Sequence, residues 1–201
     1  ANIPNSAEGW GRADVAQAIE PDVQTIRWDE STLFSGTGQT WSTDVYPVDT
    51  SRPLKVTLVW TDAPGPGSGG TSAAWVNDLD LKLVKSGTTW RGNNFSSGWS
   101  TSGGSADTKN NIENVYLQSP TTGAYAVEVY ASDIAGDGVL YNGDVTDSTY
   151  ALVCYNCSLT TGTATPTASP EPTGTFTPSP TVDLAKTTPT PTGPTPTPTT
   201  G

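Results

Sequence analysis

The densest set of oxygen ligands in the chain is Asp62, Asn77, Asp78 and Asp80, with Asn110, Asn111, Glu113 and Asn114 further on. Asp78 and Asp80 stand two apart, so on a strand both carboxylates leave one face while Leu79, Leu81 and Leu83 occupy the other. Two like charges so close repel unless a cation or hydrogen-bond donors lie between them. Calcium, a hard ion, accepts such carboxylate and amide oxygens, which makes Asp62, Asp78, Asp80 and Glu113 the candidate ligands. The same residue types cap turns and satisfy loop amides, so Asx capping is the competing reading. No EF-hand loop pattern accompanies them.

Nucleophilic chemistry finds less support. Gly70-Thr71-Ser72-Ala73 has the look of a serine nucleophile motif, but it sits in the Gly/Pro-rich stretch APGPGSGGTSAAW. A catalytic serine needs a base, and the chain has 0 His. No catalytic residue is assigned. Cys154-Tyr155-Asn156-Cys157 is a single C-x-x-C, which cannot complete a four-ligand zinc site without a second pair or His. A thioredoxin-like role would want a βαβ unit beside it. The expectation is a Cys154–Cys157 disulfide in an oxidising compartment, which requires a turn that brings the two Cα atoms within about 7 Å. Trp75, Trp90 and Trp99 fall in or beside Gly/Ser-rich stretches. Such indoles close the end of a sandwich or meet a neighbouring domain, and they also stack on sugar rings. Asn94-Phe95-Ser96 and Asn156-Cys157-Ser158 fit the glycosylation acceptor pattern.

Composition sets the boundaries around these motifs. The 201 residues carry 9 Lys plus Arg against 20 Asp plus Glu, a net charge of -11. Nucleic acid is excluded as a partner, because its phosphates need cations, and an anionic membrane surface would repel the chain. No apolar run approaches the roughly 20 residues of a membrane span. With 0 Met the chain is expected to be a processed product or an excised piece. From Ser158 onward Thr and Pro dominate, with ten of the 17 prolines. Residues 158–201 are therefore expected to be a disordered linker or an O-glycosylated stalk, with a ligand for a proline-recognising domain as the alternative.

The elements that must position the candidate ligands are strands. Ala13–Ile19 is the one helical stretch, ended by Pro21. Alternating runs follow at Val23–Trp28, Trp41–Val48, Leu54–Thr61, Leu79–Val84, Asn114–Gln118, Ala124–Ala131 and Thr149–Tyr155. So many short strands without intervening helices predict an all-β fold, an antiparallel sandwich or jelly roll, over residues 22–157.

The order of several blocks resembles a known family. Pro4-Asn5 and then Gly9-Trp10-Gly11-Arg12-Ala13-Asp14-Val15 resemble the end of a subtilisin-like catalytic domain, so residues 1–21 would be its last part. Pro53 to Pro64 (PLKVTLVWTDAP), Val76 to Leu81 (VNDLDL), Gly92 to Phe95 (GNNF), Asn110 to Val115 (NNIENV) and Gly123 to Val129 (GAYAVEV) resemble the C-terminal β-jelly-roll of subtilisin-like serine proteases that carry one. This barrel in turn is similar to the P domain of proprotein convertases and to galactose-binding-like folds. The resemblance implies a secreted serine endopeptidase with structural calcium. It implies no catalytic residue here, because the stretches that bear the family's Asp, His and Ser are absent. The chain alone is expected to be inactive and to pack against, stabilise or assist the protease domain of the same parent chain. The alternatives are an extracellular carbohydrate or cell-wall binding module and a structural spacer domain.

Overall fold

The computed structural model describes residues 4–5, 7–65 and 75–160, without the side chains of Glu30 and Ser31. The Gly70–Ala73 motif with Ser72, and residues 161–201 of the Thr/Pro-rich stretch, lie outside the described residues. Helix α1 covers Val15–Ile19, capped by Asp14, whose carboxylate accepts from Gln17 N. Ten strands follow: β1 Thr25–Phe34, β2 Thr40–Pro47, β3 Leu54–Val59, β4 Asp78–Lys85, β5 Thr88–Ser96, β6 Trp99–Ser102, β7 Ile112–Leu117, β8 Tyr125–Asp133, β9 Ser148–Tyr155 and β10 Cys157–Ser158.

The strands form two sheets in the orders β1-β9-β3-β7 and β10-β2-β8-β4-β5-β6. Leaving aside the short β6 and β10, successive strands run first-eighth-third-sixth in one sheet and second-seventh-fourth-fifth in the other. That alternation is the wrapping of a jelly roll. The chain is an antiparallel β-sandwich, as the alternating runs predict.

The core lies between the sheets because each inner face is written at every second residue. Leu54, Val56, Leu58 and Trp60 from β3 and its end meet Leu79, Leu81 and Leu83 from β4, and all are buried. Val127, Val129 and Ala131 from β8 and Tyr150, Leu152 and Cys154 from β9 join them, with Phe34, Val45 and Val115 among others. One end is closed by aromatics: Trp28 stands edge-on to Trp41, Trp41 to Tyr150, and Tyr150 stacks on Phe34.

Two pieces depart from the predicted pattern. Trp90 and Trp99 are in strands β5 and β6 rather than in loops. Strand β1 runs on to Phe34 past a register shift between Asp29 and Leu33, so the single regular run expected over Val23–Trp28 is a longer, bulged strand.

The end of β9 crosses from one sheet to the other. Cys154 and Cys157 form the expected disulfide, with Cα atoms 5.7 Å apart, and both are fully buried. Asn156 between them adopts a left-handed φ of 64°. Its amide donates to the carbonyls of Asp49, Arg52 and Pro53, and its oxygen accepts from Asp49 N. A fully buried amide with every arm engaged cannot carry a glycan, so the acceptor pattern at Asn156 is structural. Asn94 likewise donates to Thr101 O and Gly103 O, bracing the β5–β6 hairpin.

Replacing Asn156→Gly keeps the backbone conformation accessible and removes only the side-chain bonds. The part-buried carbonyls then lose their donor, and the expected cost is about 1–3 kcal/mol. Urea denaturation of the oxidised protein checks this; a cost below about 0.5 kcal/mol would show that the amide does not hold the β2–β3 connection.

Candidate functional site

Strands β4 and β5 pair from Lys82↔Arg91 to Lys85↔Thr88 and then part. In the gap sits Glu113 from β7, a strand of the opposite sheet. Its Oε2 accepts from Leu81 N at 2.6 Å, taking the peptide N–H just beyond the last β4–β5 pair. Gly92 makes the insertion possible, since a Cβ there would overlap the Glu113 carboxylate and its stem. Asn93, with φ of 58°, then turns β5 toward β7. Its amide donates to Ile112 O at 2.7 Å and its oxygen accepts from Asn114 N at 3.0 Å, clamping the peptides on both sides of Glu113. Glu113 is 1% exposed and its Oε1 has no hydrogen-bond partner.

Asp78 and Asp80 come to the same region from β4. Strand alternation puts them together on one face opposite the leucines, and the leucines are buried as expected. The carboxylates are buried as well, at 3% and 6% exposed, and each leaves its Oδ1 without a partner. Asp78 faces Asp133 directly across the β4–β8 ladder, a like-charge pair at the bulge between Asp78 and Leu79.

Burial shifts all three groups toward the neutral acid. Asp78 is pushed up to about 6, first by desolvation and then by the negative charges of Asp80, Asp107, Asp133 and Asp62. Desolvation also raises Asp80, against the opposing pull of Lys82 and Arg91. Glu113 is pushed up to about 9 by desolvation, which outweighs its bond from Leu81 N, with Asp80, Asp107 and Asp78 adding to the rise. Asp107 thus acts on all three, although sequence spacing does not single it out. It lies in an irregular stretch, where it accepts from Asn93, Asn110 and Lys109 N.

Asp62 behaves differently. Its Oδ1 accepts from Ala63 N and Asn77 N and its Oδ2 from Val76 N, so it ties together the two ends of the loop between β3 and β4. Asn77, fully buried, accepts from Ala135 N and Gly136 N and donates to Gly136 O and Asp147 O. Asn111 donates to Trp60 O, and Asn114 accepts from Thr57 and Tyr116. For Asp62, Asn77 and Asn111 the capping alternative holds, whereas Asn114 bonds only side-chain hydroxyls through its oxygen and its buried Nδ2 has no partner. For Asp78, Asp80 and Glu113 capping leaves one oxygen each unused.

A hard cation suits that donor set in chemistry and in burial. Among the described residues, however, no three His, Cys, Asp or Glu side chains stand gathered into a ready cage. Compared with known proteins, the chain matches no family model and no curated protein. No helix among the described residues is long and apolar enough to cross a membrane.

The raised acids have a pH consequence. A carboxyl whose folded pKa exceeds its unfolded one supports folding below the unfolded value and stops doing so as pH rises through the folded value. In chelator, stability should therefore fall between about pH 5 and pH 9, through the region set by Asp78 and then that set by Glu113. Glu113→Gln keeps an oxygen for Leu81 N and removes the ionisation, so it should flatten the alkaline half of that profile. Urea midpoints across this range, with and without the substitution, check it; a profile that rises with pH would refute the burial of these groups.

Proposed function

We propose that this chain is the non-catalytic C-terminal jelly roll of a secreted subtilisin-like serine endopeptidase, which packs on and stabilises the catalytic domain with help from structural calcium. The family resemblance of residues 4–155 supplies the reading, and the N-terminal segment carries the structural support. Trp10 stands edge-on to Phe95 at 5.8 Å and to Tyr116 at 6.3 Å, and Arg27 donates to Ala18 O at 2.9 Å. The segment is thus attached to the barrel. Yet helix α1 buries none of its residues, leaving Val15 at 65% and Ile19 at 72% exposed. Two apolar residues at helical spacing with nothing over them suit a helix whose second face belongs to a preceding domain.

Calcium enters the proposal through the orphaned oxygens. Asp78, Asp80 and Glu113 would contribute one unpartnered oxygen each, and an ion between them would offset their mutual repulsion. Asp62 is not among these ligands, because peptide N–H groups occupy both of its oxygens. The ion would be structural, joining β4 to β7 across the sandwich where Glu113 already does so. The chain offers no histidine base, so peptide hydrolysis in the whole protein falls to residues of the catalytic domain.

Two measurements test this. Calcium at a hundredfold excess over its dissociation constant should stabilise the chain by about 2.7 kcal/mol. That corresponds to a rise of about 5–10 °C in Tm, most at alkaline pH and least near pH 5. Glu113→Gln should abolish the response; an unchanged Tm in the unsubstituted protein removes calcium from the proposal. Separately, the coding sequence upstream of Ala1 should encode a subtilisin-like domain with its Asp, His and Ser. Activity of that full protein should decay faster on heating when Val15→Asp or Ile19→Asp is introduced. An upstream sequence without such a domain overturns the protease reading.

A further inference from the structure

Two of the three indoles in or beside Gly/Ser-rich stretches, Trp90 and Trp99, line a common cleft. It has a volume of about 490 Å³ and opens between the β4–β5 hairpin, the start of β6 and the β7–β8 connection. Trp90 and Trp99 form its aromatic wall, with Tyr125 beside Trp90 at a ring separation of 6.1 Å. Both indoles are half-buried, so each is held by the protein on one side and leaves surface to the cleft. Trp90 packs on the hydrophobic core, and Trp99 is fixed in the β5–β6 ladder opposite Ser96.

Polar groups stand around these indoles. Thr88 and Gln118 line the cleft and are exposed, and among the described residues their side chains make no hydrogen bond. Ser100 Oγ accepts from Tyr116 N at 2.9 Å, so its own hydrogen stays free to donate. Among the described residues the one cation in the cleft is committed. Lys85 Nζ donates to Thr121 O, Thr121 Oγ1 and Thr122 O, and lies 4.1 Å from the centre of the Tyr125 ring.

We propose that this cleft binds a neutral, β-linked pyranose chain. The volume lies in the range of ligand sites, and indole faces flanked by free amide and hydroxyl groups match a sugar's C–H face and equatorial hydroxyls. A polyanion is disfavoured twice, by the occupied lysine and by the chain's net charge of -11. An extended peptide is the competing occupant, since β6 is an edge strand. The indole platform and the unpaired polar side chains favour the sugar, because strand addition would use backbone groups and neither of these. The site is independent of the calcium and protease readings.

The test is titration of the full chain with cellohexaose and with the hexamer of N-acetylglucosamine, followed by calorimetry and tryptophan fluorescence. At least one should bind, with Trp99→Ala weakening it about tenfold or more and the exposed Gln118→Ala about threefold. Tyr141→Ala, at a fully exposed ring outside the cleft, should change affinity less than twofold. Tm of each variant is measured alongside, and Gln118→Ala decides the matter if Trp99→Ala does not fold. The proposal fails if neither oligosaccharide binds at millimolar concentration, if binding survives both cleft substitutions, or if only an unfolded casein peptide is retained.

Discussion

The Glu113 carboxyl, which reaches from β7 into the gap where β5 parts from β4, is the constraint around which this end of the molecule is organised. Burying the ionised form would cost several kcal/mol that a single peptide N–H does not offset, so burial holds Glu113 toward the neutral acid, which still costs its desolvation. The structure accepts the cost because Leu81 N would otherwise be buried without a partner where β5 leaves β4. Once Glu113 is there, the surroundings are dictated. Position 92 has to be glycine, position 93 has to turn left-handed and hold the peptides on either side, and both occur in the sequence as Gly92-Asn93. A valine in place of Gly92 would collide with the carboxylate it is meant to shelter.

Residue types alone do not say which of these side chains are saturated by the backbone, and at this end of the sandwich some are and some are not. Asp62 and Asn77 are saturated by backbone groups and hold loops that come from β3, β8 and the approach to β9. Asp107 is likewise occupied. Their bonds fix the positions of Asp78, Asp80 and Glu113, which retain unused oxygens. The order of causes matters here. Saturated side chains anchor the loops beside the unsaturated carboxylates, which stay buried with their mutual repulsion and are shifted toward the neutral acid.

Strand parity made the core legible. Leu54, Val56, Leu58 and Trp60 share a buried face, as do Leu79, Leu81 and Leu83, because alternation is a local property of a strand. The burial of Asp78 and Asp80 was not legible, since alternation says which way a side chain points and nothing about what covers that face. Strands β5 and β6 escaped for a different reason. TTWRGNNFSSGWSTS is full of residues that favour turns, yet several of them serve the tertiary structure instead. Gly92 clears space, Asn93 turns the strand, and Asn94 braces the hairpin. The two cysteines were readable as a disulfide, whereas sequence carries no sign that the Asn156 amide of the acceptor pattern faces inward.

The aromatic residues at the edge between the two sheets set how the N-terminal segment and the cleft relate. Trp10 leans on Tyr116 of β7 and Phe95 of β5, one strand from each sheet. Tyr116 gives its N–H to Ser100 Oγ, and Ser100 pairs with Phe95 while lining the cleft. One peptide bond and one hydroxyl thus separate the surface that receives the N-terminal segment from the surface that faces the indoles of Trp90 and Trp99. Strand β6 is only four residues long and has a single neighbour in its sheet, so its position depends on those contacts more than on its own ladder. Packing at Trp10 thus reaches the strand that carries Trp99 through Tyr116 and Ser100.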